Sequence, residues 1–191
     1  MSATNRGGVR SKNDYYKTPA GIVDLLLETY PLSGSLWLDP SAGSGTIGRQ
    51  IKQFYPDIKI KQIDISDKYV DYEVGSVHVG NFLAYPNNEL QVFDGFIMNP
   101  PFNLAEEYAV KCLENRISDT VPVIMLQRLG FLESKTRHLF WQRFPVDRLY
   151  ILSKRPSFTG DGKTDNAGYA WFIWDGSNKR CGGQEIKTLM R

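Results

Sequence analysis

Short apolar runs alternate with stretches carrying a helical stripe along almost the whole chain, and no other feature narrows its fold as much. The runs fall at 35–39, 58–65 (Ile58, Ile60, Ile63), 77–82, 92–98, 121–126, 148–153 and 169–174. Between them lie helical signals. Thr18 as N-cap with Pro19 in the first helical position opens one. Ile47, Ile51 and Phe54 stripe a second, and 104–116 places Leu104, Tyr108 and Cys112 on one face with Ala105, Ala109 and Leu113. There Glu107 and Lys111 are spaced for an i,i+4 ion pair. A fourth helix is predicted over 135–144. Strands separated by helices need crossover connections, which make neighbouring strands parallel and cover both faces of the sheet. The predicted fold is α/β, a doubly wound, mostly parallel seven-stranded sheet with helices on both faces.

The 191 residues suit one domain and contain no internal repeat and no domain linker. A polar stretch over 1–13 is predicted to be a disordered arm, 14–176 the single domain, and 177–191 a basic tail. The loop 155–168 is long and polar between two strands, the kind usually kept for function. No run is long enough for a membrane span and no signal-peptide core opens the chain. Cys112 and Cys181 lie far apart and offer neither metal spacing nor a disulfide framework, so the expected compartment is a reducing cytoplasm, without a metal. The net charge of +2 conceals a segregation. Residues 1–17 hold four Lys/Arg against one acid, 18–120 seven against fourteen, and 121–191 twelve against six. A polyanion would favour the surface built from the two ends and from the region 128–155.

Two turns carry chemistry. Asn99-Pro100-Pro101-Phe102 follows an apolar strand that two prolines cannot extend, since neither offers an N–H to the ladder. A stiff turn at a strand's C-terminal end lies where open α/β sheets bind ligands. It presents a side-chain amide, a main-chain carbonyl and an aromatic face, which suit a planar aromatic amine. The second turn, Pro40-Ser41-Ala42-Gly43-Ser44-Gly45-Thr46-Ile47-Gly48, formally matches the dinucleotide fingerprint, with Asp64 near the expected spacing. An NAD enzyme is therefore an alternative. Asp39, just before the glycines, argues against it, because a carboxylate there would face a pyrophosphate. It suits a ligand ammonium instead. S-adenosylmethionine (SAM) has one, carries no phosphate, and has ribose hydroxyls that Asp64 can accept.

Asp39-Pro40-Ser41-Ala42-Gly43-Ser44-Gly45, then Asp64, then Asn99-Pro100-Pro101-Phe102 together resemble the motifs of class I SAM-dependent amino methyltransferases with a Rossmann-like sheet. Small phage-type DNA N6-adenine methyltransferases are especially similar, including the Tyr16-x-Thr18-Pro19 segment, Arg155-Pro156-x-Phe158 and Tyr169-Ala170-Trp171-Phe172. That resemblance implies SAM contacts from Tyr16, Thr18, Asp39, Pro40, Ser41, Gly43, Gly45, Asp64 and Ile65. Asn81 and Phe82 stand where the family often has an acid and an apolar residue, and Asn81 can still accept through its carbonyl. The same resemblance implies an amine held by Asn99 and Pro100, with Pro101 stiffening the turn and Phe102 stacking on the base. Arg155 and Phe158 would contact DNA, in a bacterial or phage-infected host cell. RNA base methylation at adenine N6 or guanine N2 is the main alternative. Protein-glutamine methylation and an inactive SAM-binding partner subunit are the others. His78, His138, Trp171, Trp174 and Cys112 read as surface or core residues.

Overall fold

The computed structural model describes residues 17–158 and 164–190. The arm 1–13 and Tyr16 lie outside the described residues. Eight strands form one sheet: β1 (Leu36–Asp39), β2 (Lys59–Asp64), β3 (Ser76–Val79), β4 (Gly95–Met98), β5 (Val123–Arg128), β6 (Arg148–Leu152), β7 (Tyr169–Trp174) and β8 (Glu185–Leu189). Their order is β3-β2-β1-β4-β5-β7-β6-β8. All pairings are parallel except those of β7, which runs antiparallel to both β5 and β6. The helices are α1 (Ala20–Thr29), α2 (Thr46–Phe54), α3 (Ala105–Asn115), α4 (His138–Arg143) and α5 (Ser177–Cys181).

Alternation along each strand divides the core in two. Leu38, Phe96, Met98, Met125, Phe172 and Trp174 face one side, under Ala105, Tyr108, Ala109 and Cys112 of α3 and Phe140 of α4. Trp37, Ile97, Ile124, Leu126, Trp171 and Ile173 face the other, under Val23, Leu26 and Leu27 of α1 and Ile47 and Ile51 of α2. Trp171 also donates its indole N–H to the Ile22 carbonyl at 3.0 Å, tying α1 to β7. A side chain at Gly95 would stand 2.5 Å from the Trp37 ring, so β4 can lie beside β1 only with glycine there.

Three expectations are corrected. The segment expected as a polar tail folds as α5 and an eighth, edge strand, which buries only Leu189 and leaves Ile186, Lys187 and Thr188 exposed. Thr18 does not cap α1. Pro19 is the N-cap and makes no side-chain bond, while the Thr18 hydroxyl is taken by another partner, described below. Lys111 ignores Glu107 and instead donates to the carbonyls of Leu83 and Tyr85 and to Asn87, at 3.1, 2.7 and 2.7 Å. Carbonyls left open by a tight turn hold an ammonium better than an exposed i,i+4 carboxylate does.

At the end of the sheet where β6 begins, the buried Asp147 carboxylate accepts N–H groups from Asp175, Gly176 and Asn178 at 2.7, 2.8 and 2.9 Å. This fixes the exit from β7. At the opposite end β1 lies between β2 and β4, so the direction of winding reverses there. Such a reversal opens a crevice beyond the strand ends. No helix among the described residues is long and apolar enough to cross a membrane.

Candidate active site

The first wall of the crevice is the glycine turn after β1. Gly43 and Gly45 have φ of 52° and 69°, which other residues rarely adopt, and Gly45 caps α2. The turn is fastened to the end of β2. Ala42 N–H donates to the Ile63 carbonyl at 3.1 Å, and Gly43 N–H to Asp64 Oδ2 at 2.8 Å. Asp64 Oδ1 accepts Ser66 N–H at 3.0 Å, so this half-buried carboxylate is held by its own loops. Pro40 is buried beside Asp39, and Ile65 is exposed at 68% beside Asp64.

Asp39 is 1% exposed. Its Oδ1 accepts Ser41 N–H at 3.1 Å, while Oδ2, like Ser41 Oγ, is buried with no partner among the described residues. Burial pushes the carboxyl up to about 7, and the nearby Asp64 charge adds to the shift against the Ser41 N–H. An unmet, buried carboxylate of this kind suits a cation. At the end of β3, Asn81 Oδ1 accepts Leu83 N–H at 3.0 Å and caps a 3-10 turn. Phe82 is buried beneath that turn, its ring 4.9 Å from that of Tyr108.

The second wall is the turn after β4. Asn99 Nδ2 donates to Thr18 Oγ1 at 3.0 Å. This is the partner that draws Thr18 away from capping α1, and it fixes the amide so that Oδ1 remains an acceptor. Pro100 is buried, and the Pro101 carbonyl accepts Leu104 N–H at 2.9 Å as the chain turns toward α3. Phe102 is half-buried, with the Arg128 guanidinium 4.3 Å from its ring centroid and the Tyr169 ring at 6.1 Å. Arg128 also donates to Tyr169 Oη at 3.0 Å and to Asp165 Oδ2 at 2.8 Å, and Tyr169 donates to the same oxygen at 2.6 Å. Phe158 joins this group with its ring 5.0 Å from Tyr169, whereas Arg155 stands exposed.

The crevice thus gathers Thr18, Asp39–Gly45, Asp64 and Asn99–Phe102, with Phe158 at its border. Sequence reasoning missed the Arg128–Asp165–Tyr169 group, which exists because β5 and β7 pair Arg128 with Tyr169. It also missed the Thr18–Asn99 bond. The polar Asp165 just ahead of an all-apolar strand was the only local signal. His78 and His138 are exposed; Trp171, Trp174 and Cys112 are core. Among the described residues no group of His, Cys, Asp and Glu gathers as a metal site.

No protein-family model matches the chain. Ribosomal RNA small subunit methyltransferase C of Shewanella sediminis is 28% identical over 103 residues, which span 51% of this chain and 30% of that protein. The methyltransferase subunit of a type I restriction-modification system from Streptococcus thermophilus superposes with a TM-score of 0.64 at 14% identity, over 84% of this chain and 44% of that one. A candidate RNA methyltransferase from Pyrococcus horikoshii superposes with a TM-score of 0.63 at 15% identity, over 91% and 93%. The chain spans under half the length of the first two. Strand order, reversed β7 and these superpositions agree: the chain has the class I SAM-dependent methyltransferase fold.

Proposed function

We propose that the protein transfers a methyl group from SAM to the exocyclic N6 amine of adenine in DNA. The observation that carries this reading is the Asn99 amide, held by Thr18 with Oδ1 left to accept, at the end of β4 in the switch-point crevice. The residues present fit the methyl donor. Asp39 Oδ2 is a buried carboxylate oxygen without a partner, matched to an ammonium. Asp64 stands at the end of β2 for ribose hydroxyls, and Gly43 and Gly45 let backbone approach closely. When bound, SAM supplies an electrophilic methyl on a sulfonium.

The rest is the work of the chain's own residues. Adenine's amine is a poor nucleophile because its lone pair is delocalised into the ring. Asn99 Oδ1 and the Pro100 carbonyl accept hydrogen bonds from its two N–H groups, which favours a pyramidal nitrogen and stabilises the positive charge that develops there. No strong base is needed, since a methylated ammonium releases its proton readily. Phe102 holds the ring by stacking, worth roughly 1–3 kcal/mol. In duplex DNA the base must first be flipped out.

The test is single-turnover transfer from labelled SAM to an adenine oligonucleotide, with the product digested to nucleosides. Asn99→Ala should leave SAM affinity intact and slow transfer by on the order of 10²-fold, the loss seen when one polar transition-state contact is removed. Parent-rate transfer by that variant would remove the turn as the amine site. The second reading is methylation of an RNA base, supported by the ribosomal RNA methyltransferase that is 28% identical. N2-methylguanine or methylated RNA in place of N6-methyladenine in DNA would make it the first.

A further inference from the structure

A cavity of about 350 Å³ opens between α1 and the chain leaving β6, outside the groups that hold the amine. Its size falls within the range of about 300–1,000 Å³ typical of small-ligand pockets. Ile22, Leu25, Leu152 and Leu189 give it apolar walls, and Lys154 and Arg155 stand at its rim. Both cations are exposed, and neither makes an ion pair among the described residues. Ser157, in the same wall, has a hydroxyl shielded from water with no hydrogen-bond partner among the described residues. A polar group entering the cavity would complete that bond.

The cavity connects to the amine site along two separate paths. Pro19 lines it, and Thr18 before it holds the Asn99 amide. Ser157 lines it too, and Phe158 after it packs on Tyr169, which neighbours Phe102. Both β6 and β4 point their C-terminal ends toward this side of the sheet. An apolar slot with a cationic rim beside a base-holding turn matches one chemical unit: a flat base joined to a phosphate.

We propose that this cavity receives the nucleotide adjacent to the methylated adenine, its base against Ile22, Leu25 and Leu152 and its phosphate on Lys154 and Arg155. It thereby determines which neighbour the enzyme accepts. This rests on the DNA reading above and adds to it a source of sequence preference. The target adenine is held by the turn after β4; its neighbour is held by α1.

Gly21 gives a clean test. It lines the cavity, and a Cβ built there meets nothing within 4 Å, so Gly21→Phe fills the space from a helix that tolerates the change. Leu25→Trp fills it from one turn further on. The assay is methylation of oligonucleotides with one adenine, each flanking base varied in turn or replaced by an abasic residue. Both filled variants should keep parent SAM affinity and melting temperature. Their KM for DNA should rise roughly tenfold, the size of effect that one base contact carries. An abasic residue at the responsible position should abolish the difference between parent and variant. Arg155→Gln should raise KM for every sequence and lower the salt slope by about one phosphate. Parent KM and parent neighbour preference in both filled variants would overturn the proposal while leaving the DNA reading intact. Failure of the parent itself to methylate any DNA would instead overturn that reading, and the cavity's role with it.

Discussion

Asp39 is costly to bury, and its position is chemically informative for that reason. With its carboxyl pushed up to about 7, the group holds a proton below about that pH, which an ammonium bound at Oδ2 would have to expel. SAM affinity should therefore rise about tenfold per pH unit from about pH 5 to about pH 7 and level off above it. Calorimetry across that window checks this, and a flat profile would separate Asp39 from the ligand. Stability should run the other way. The folded pKa lies above the unfolded one near 4, so this group favours the fold at acid pH. That contribution fades as pH rises from about 4 to about 7 and is gone above it, by roughly 4 kcal/mol in all. Asp39→Asn should accordingly bind SAM weakly yet melt higher than the parent at pH about 8, in a thermal scan without ligand. Thr18→Val leaves Asn99 Nδ2 without its partner and should slow single-turnover transfer about tenfold, less than Asn99→Ala. Equal rates in parent and Thr18→Val would mean that the amide keeps its orientation unaided.

Among the elements, β7 and its exit carry disproportionate weight. Every residue of β7 is buried, and Asp147 holds the following turn through three backbone N–H groups. Asp147→Ala leaves those donors unsatisfied in a buried place and should cost at least about 3 kcal/mol, read as a lower denaturant midpoint. Most elements could be read from the sequence because their signals are local. Ile47 and Ile51 repeat at helical spacing, and 169–174 is apolar throughout. β8 gave no such signal. An edge strand that buries only Leu189 has no alternation strong enough to stand out from a polar tail. The capping role expected of Thr18 failed for a different reason. Its hydroxyl had two possible partners, and the turn after β4, far away in sequence, took it.

Across the whole molecule, strand order converts scattered motifs into a crevice. The turn at Asp39–Gly45, Asp64 and the turn at Asn99–Phe102 were each legible alone, and they meet because β2, β1 and β4 are neighbours. The Arg128–Asp165–Tyr169 group and the α1 cavity were not legible, since both depend on pairings that no short stretch encodes. The uneven charge along the chain predicts that nucleic-acid affinity falls with salt by about 0.9 log unit per log salt for each phosphate neutralised on duplex DNA. A titration with no salt dependence would move the substrate away from polyanions. The indole bond from Trp171 to the Ile22 carbonyl bears on timing. β6 finds both its partners, β7 and β8, later in the chain than itself, so that half of the sheet cannot begin to zip until Tyr169–Trp174 is present. The seat of α1 closes only then, and with it the contact that aims Asn99. Contacts of such long sequence separation form late. In a refolding experiment, methyl transfer should return with the slowest phase, together with burial of Trp171. On the proposed reading, the ability to methylate a base would then return only after that half of the sheet has paired.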